Sequence, residues 1–227
     1  MTRFVFCLVV LLALTVRPFA QDKTPFAQDA VPFSLQPGEG APADGGSAAK
    51  GDLGGGSSEM TESAEDRRAQ RLDMMFSRLA AAETKRRADR IARNILRRMS
   101  RSGSDTVDLL MVQAGAAMRA KRYGTALDLL DGVVRLDPEF PEGWNRRATV
   151  HFLRGDYSAS LSDIEQVLRR EPRHWGALAG LSMILVSMDR KSEAVVIMDK
   201  ALAVHPFLEE MKRKREQLTK ELDGAET

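Results

Sequence analysis

The balance of apolar and polar positions changes character along the chain. Phe4 to Val16 is a nearly unbroken apolar run behind Met1, Thr2 and Arg3. It has the length of an export signal and falls short of the ~20 residues a helix needs to cross a bilayer. From Gln21 to about Ser63 large apolar residues thin out and Gly, Pro, Ala, Ser and Asp take over, as in Gly54-Gly-Gly-Ser-Ser58. Burial there is too small to offset ~1 to 2 kcal/mol of chain entropy per residue, which predicts a disordered linker over residues 21–63. Beyond it apolar residues return at helical spacing, and long β-branched runs alternating every second residue are missing. An all-α body without strands is expected.

That body repeats. Pro138, Pro172 and Pro206 are 34 residues apart, as are the small residues Ala126, Ser160 and Ala194, the large apolar residues Leu130, Ile164 and Met198, and the small set Ala114, Ala148 and Ser182. Small side chains at fixed places let paired helices approach closely, and proline ends a helix where the next unit begins. The period divides the chain into repeats over 107–140, 141–174 and 175–208, with a capping helix and tail over 207–227. One step earlier, Phe76, Ala80, Ala92, Leu96 and Met99 fall at matching places. Residues 64–106 therefore read as a basic helical hairpin, either a degenerate first repeat or an unrelated hairpin packed on the array.

Trp144, Ala148, Gly155, Tyr157 and Pro172 carry a resemblance to the tetratricopeptide repeat family, supported by Ala114, Tyr123, Ala126 and Pro138 before them and Leu178, Ala194, Ala201 and Pro206 after them. The resemblance implies a right-handed helical solenoid whose first helices line a concave inner face. Within the family, Glu142-Gly-Trp-Asn-Arg-Arg-Ala148 and Glu171-Pro-Arg-His-Trp-Gly-Ala-Leu178 resemble signal-bearing envelope proteins of Gram-negative bacteria. The implied inner-face positions include Met111, Met118, Asn145, Thr149, Phe152 and Met183, an apolar, methionine-rich groove suited to a protein or peptide partner, or else residues packed between helices. Some members grip a chaperone's C-terminal carboxylate with lysines. Met111 and Gly176 stand at those lysine positions, so that clamp is not expected.

Composition adds an address. The only cysteine, Cys7, lies in the apolar run and leaves with a signal peptide spanning 1–20 if cleavage follows Ala20. Ala27 and Ala30 are alternative sites, and an uncleaved anchor remains an alternative to cleavage. The expected location is the periplasm, with packing alone holding the mature chain together.

Catalytic chemistry is not expected. His151, His174 and His205 are too far apart to share a metal from one helix turn, and His205 is expected at the surface while His174 is placed to cap a helix start. Gly54-Gly-Gly-Ser57 has no strand before it, so no phosphate-cradling loop is read there. No metal, cofactor, small-molecule substrate or nucleic-acid partner is called for. Arg146 and Arg147 are free to meet an acidic partner group or Asp163 within the fold. Arg86, Arg90, Arg93, Arg97 and Arg101 form a basic stripe opposite Ala88, Ile91, Ile95 and Met99. Two readings stay open for it: a dock for anionic lipid or lipopolysaccharide, or a solvated face.

Overall fold

The computed structural model describes residues 64–225, so the expected signal peptide and the whole of the expected linker lie outside the described residues. The described residues are helical throughout and contain no strand. In chain order the helices are α1 (Ala64–Ala80), α2 (Lys85–Met99), α3 (Asp105–Arg119), α4 (Tyr123–Leu136), α5 (Pro141–Leu153), α6 (Tyr157–Arg170), α7 (Trp175–Ser187), α8 (Lys191–Val204) and α9 (Glu209–Ala225).

Local chemistry sets the helix starts. Thr84 Oγ1 accepts from the Arg87 N–H ahead of α2, Ser104 Oγ from Val107 ahead of α3, and Asp156 Oδ1 from Ala159 ahead of α6. Each satisfies one of the N–H groups a helix leaves unpaired at its first turn. Pro141 opens α5, where a missing N–H costs nothing.

The repeat is visible in the backbone. Pro138, Pro172 and Pro206 occupy the same turn position after α4, α6 and α8. At the other end of each pair, Lys121, Gly155 and Asp189 take the left-handed conformation, with φ of 56°, 78° and 58°. The following N–H groups of Arg122, Asp156 and Arg190 then donate to the carbonyls of Ala117, His151 and Leu185 at 2.9 Å each. This closes three helix ends in one way. Only the middle repeat has glycine, the residue for which this conformation is free of strain.

The small and large residues of the period all lie inside. Ala114, Ala126, Ala148, Ser160, Ser182 and Ala194 are at most 2% exposed, and Leu130, Ile164 and Met198 at most 3%. Ser160 keeps its hydroxyl satisfied by donating to the Ala148 carbonyl at 2.9 Å across the helix pair. Helix α9 closes the array by burying Met211 and Leu218 against α8 and leaves its charged face in solvent, as a cap should.

The α1–α2 hairpin is placed differently from a first repeat stacked ahead of α3. Phe76, Leu79, Ala88, Ala92 and Ile95 form a core with Trp175, edged by Val204, Phe207 and Leu208 of the last repeat and its exit turn. Phe76 meets Trp175 edge-on at 5.9 Å, and the Arg173 guanidinium lies 4.1 Å over Phe76 while pairing with Asp73 at 2.8 Å. The physical reason is visible on α2, whose buried side is mostly alanine and isoleucine and accepts large aromatic partners that α3 does not offer. The outward face of α3 leaves Leu109 57% and Val112 66% exposed.

Candidate functional site

Helices α3, α5 and α7 line one side of the array, and a buried polar bridge ties them together. Glu142, 4% exposed in the first turn of α5, accepts from His174 Nε2 at 3.2 Å, Asn145 Nδ2 at 3.1 Å and Arg146 Nε at 3.2 Å. Arg146 Nη1 also donates to the Met111 carbonyl of α3 at 3.0 Å. His174 Nδ1 accepts from the Ala177 N–H at 3.1 Å, so the ring proton sits on Nε2 and points to Glu142. Burial pushes the Glu142 carboxyl up, but the His174 hydrogen bond and the Arg146 charge pull it further down, leaving it below the ordinary carboxylate range. The carboxylate thus anchors two side chains that reach the neighbouring repeats, Arg146 at the Met111 carbonyl of the first and His174 at the Ala177 N–H of the third.

A second cluster lies on the paired helices. Arg147 forks onto Asp163 at 2.7 and 2.9 Å and reaches Asp131 at 2.7 Å. The guanidiniums of Arg147 and Arg170 lie 4.9 and 5.4 Å from the Trp144 ring, whose Nε1 donates to the Pro138 carbonyl at 2.8 Å. Both arginines read as candidates for an acidic partner are therefore engaged inside the fold, Arg147 with Asp163 and Arg146 with Glu142.

The inner-face residues divide. Thr149, Phe152 and Met183 are half-buried on α5 and α7. Met111, Met118 and Asn145 are corrected by the structure: at 2%, 8% and 6% exposure they belong to helix contacts and the polar bridge, not to an open groove. Met111 and Met118 pack with Val107, Leu130 and Val150, because α3 turns much of its inner side onto α4 and α5. The groove is consequently less methionine-rich than its sequence indicates, and Phe152, tilted against Tyr157 at 5.6 Å, is its largest side chain.

Arg86, Arg90, Arg93, Arg97 and Arg101 are all exposed and make no ion pair among the described residues. His205, expected at the surface, is only 5% exposed; it stacks edge-on against Trp175 at 5.6 Å and accepts from the Phe207 N–H at 3.3 Å. His174 caps α7 as expected. The described residues bring no three His, Cys, Asp or Glu side chains together in a metal-holding group, and no described helix is long and apolar enough to cross a membrane. Sequence reasoning missed Glu142, whose only signal was a carboxylate behind a helix-starting proline.

Comparison with known proteins follows the same geometry. The sequence profile of the tetratricopeptide repeat matches residues 90–141 and 144–207. A TPR repeat-containing protein of Rhizobium etli is 39% identical over 158 residues, covering 70% of this chain and 78% of its own length. Among solved structures, the first TPR of Spaghetti (RPAP3), bound to an HSP90 peptide, aligns with a TM-score of 0.51 at 17% identity, over 53% of this chain and 95% of that one. The Sgt2 TPR domain of Aspergillus fumigatus aligns with a TM-score of 0.50 at 22% identity, over 54% of this chain and 83% of that one. At such identities these structures share the fold alone.

Proposed function

Because the chain belongs to the tetratricopeptide repeat family, whose stacked helix pairs are scaffolds for protein–protein interaction, we propose that it is an exported periplasmic adaptor that holds a partner polypeptide and supports cell-envelope assembly or integrity. The partner lies on the inner face of α5 and α7, and binding is the whole of the mechanism.

The observation that carries this reading is the set Thr149, Phe152 and Met183, half-buried on two successive inner helices that the Glu142 bridge holds in register. A rigid backbone with partly exposed aromatic and thioether groups suits a peptide that contributes its own apolar side chains. The Spaghetti domain, seen with an HSP90 peptide, is an instance of this fold holding a peptide. Support for export comes from the Phe4 to Val16 apolar run behind Arg3.

A photo-crosslinker placed at position 152 in living cells tests both parts. The expected result is one dominant adduct in the periplasmic fraction, lost when Met183→Glu is added, on a protein whose N-terminus begins near Gln21. Equal capture by the Met183→Glu protein would overturn the groove, and an intact N-terminus in the cytoplasm would overturn the address.

A further inference from the structure

The antiparallel hairpin brings the start of α1 beside the end of α2. Arg67, Arg68 and Arg71 of α1 thereby join Arg98 in lining a hollow of about 300 Å³. Arg68 and Arg98 also line an adjoining open cleft of about 620 Å³, together with Arg97 and Arg101. None of these six guanidiniums makes an ion pair among the described residues, whereas Arg146, Arg147, Arg170 and Arg173 all do. Residues 64–106 hold twelve Lys and Arg against six Asp and Glu, in a chain whose net charge is only +2. The positive charge is concentrated here.

We propose that this two-helix arginine cleft binds the phosphate-bearing headgroup of an anionic membrane lipid. Guanidinium forks match phosphate oxygens in pairs, and like charges held this close gain most from a multivalent anion placed between them. Two observations favour a lipid over a long soluble polyanion. First, Arg67, Arg71, Met74 and Arg78 fall on one stripe of α1, and Met74 is 53% exposed among those basic neighbours. An apolar side chain among cations is the make-up of a helix face resting in a headgroup layer. Second, Asp105 and Asp108 also line the larger cleft, and the Asp108 carboxylate is fixed by the Ser102 N–H at 2.9 Å and the Ser102 hydroxyl at 2.8 Å, whereas the smaller hollow is lined by Arg67, Arg68, Arg71 and Arg98 with no carboxylate. A uniform polyanion threaded through the cleft meets those carboxylates, while a compact headgroup seated in the smaller, all-arginine hollow does not. The site is separate from the inner face of α5 and α7, so either can fail without the other.

Cosedimentation of the chain with vesicles tests it, using phosphatidylcholine alone and phosphatidylcholine mixed with cardiolipin. Binding is expected only with cardiolipin present. At about fivefold per basic group, R68Q/R71Q/R98Q weakens it on the order of a hundredfold. R86Q/R90Q/R93Q removes the same number of charges from the outer stripe and is expected to weaken it no more than about tenfold. These side chains are exposed or half-buried, and circular dichroism checks that helix content is kept. Should the triple variant lose helicity, Arg68→Gln and Arg98→Gln singly must still outrank Arg90→Gln. Equal losses from cleft and stripe overturn the proposal, as does absence of cardiolipin-dependent binding. Release by inorganic pyrophosphate at equal phosphate concentration also overturns it, in favour of a free phosphate ligand.

Discussion

Replacing Glu142 with Gln is the sharpest test of how the repeats are held together. The substitution keeps volume and removes the charge. Three donors now converge on the carboxylate, from His174, Asn145 and Arg146, at 3.1 to 3.2 Å. An amide in its place offers one oxygen and turns an NH₂ toward those donors. Hydrogen bonds to a charged group contribute about 1.5 to 3 kcal/mol each, and removing one partner of a buried ion pair costs about 3 to 5 kcal/mol. A loss of about 3 kcal/mol at neutral pH is expected, read as a lower urea midpoint with unchanged m. The pH dependence has a defined sign. The folded Glu142 carboxyl is held below its ordinary value. Its contribution is complete above the unfolded value of about 4.3 and is lost as pH falls through the folded one. The gap between wild type and Glu142→Gln therefore narrows in acid. A gap under about 1 kcal/mol at neutral pH, or one unchanged on acidification, would refute the bridge as the element that joins the repeats.

Three further outcomes follow from the packing. Trp175→Ala removes the ring on which the hairpin sits, with an expected loss of about 3 to 5 kcal/mol and amide exchange that quickens in α1 and α2 before α5 and α6. Burial holds the His205 imidazole below its usual value; the nearby Asp89 charge opposes this and Lys85 reinforces it. A lowered histidine favours the folded state above the unfolded value of about 6.5, so stability falls as pH drops below it; His205→Phe should flatten the urea midpoint between pH 7.5 and 5.5, about one unit either side of that value. Gly143→Ala places a Cβ 2.6 Å from Val133 Cγ1 and is expected to cost about 1 to 3 kcal/mol in thermal or urea unfolding.

Much of the fold was legible because its determinants recur. The interval that separates Pro138, Pro172 and Pro206 also separates the starts of α4, α6 and α8 at Tyr123, Tyr157 and Lys191. Periodicity reports which side chains share an environment, and it carried the core sets with it. It does not report how much of a face a neighbouring helix consumes, which is why Met111 and Met118 were assigned to an open surface they do not line. Nor does it report pairings outside the period. The hairpin's seat on Trp175 joins residues about a hundred positions apart, and no spacing rule connects them. The arginines of α1 went unread for the same cause: a stripe seen on one helix gives no hint of the second helix beside it.

The seat of the hairpin changes what unfolding means for this protein. Stacked repeats ordinarily peel from their free ends, each unit leaving at the cost of one interface. Here the first described helix is clasped to the turn that opens the last repeat, through Phe76 against Trp175 and Asp73 against Arg173, and the hairpin core also packs on Phe207 and Leu208 in the turn that follows it. Neither end can fray without disturbing the other, so the stack should melt as one cooperative block.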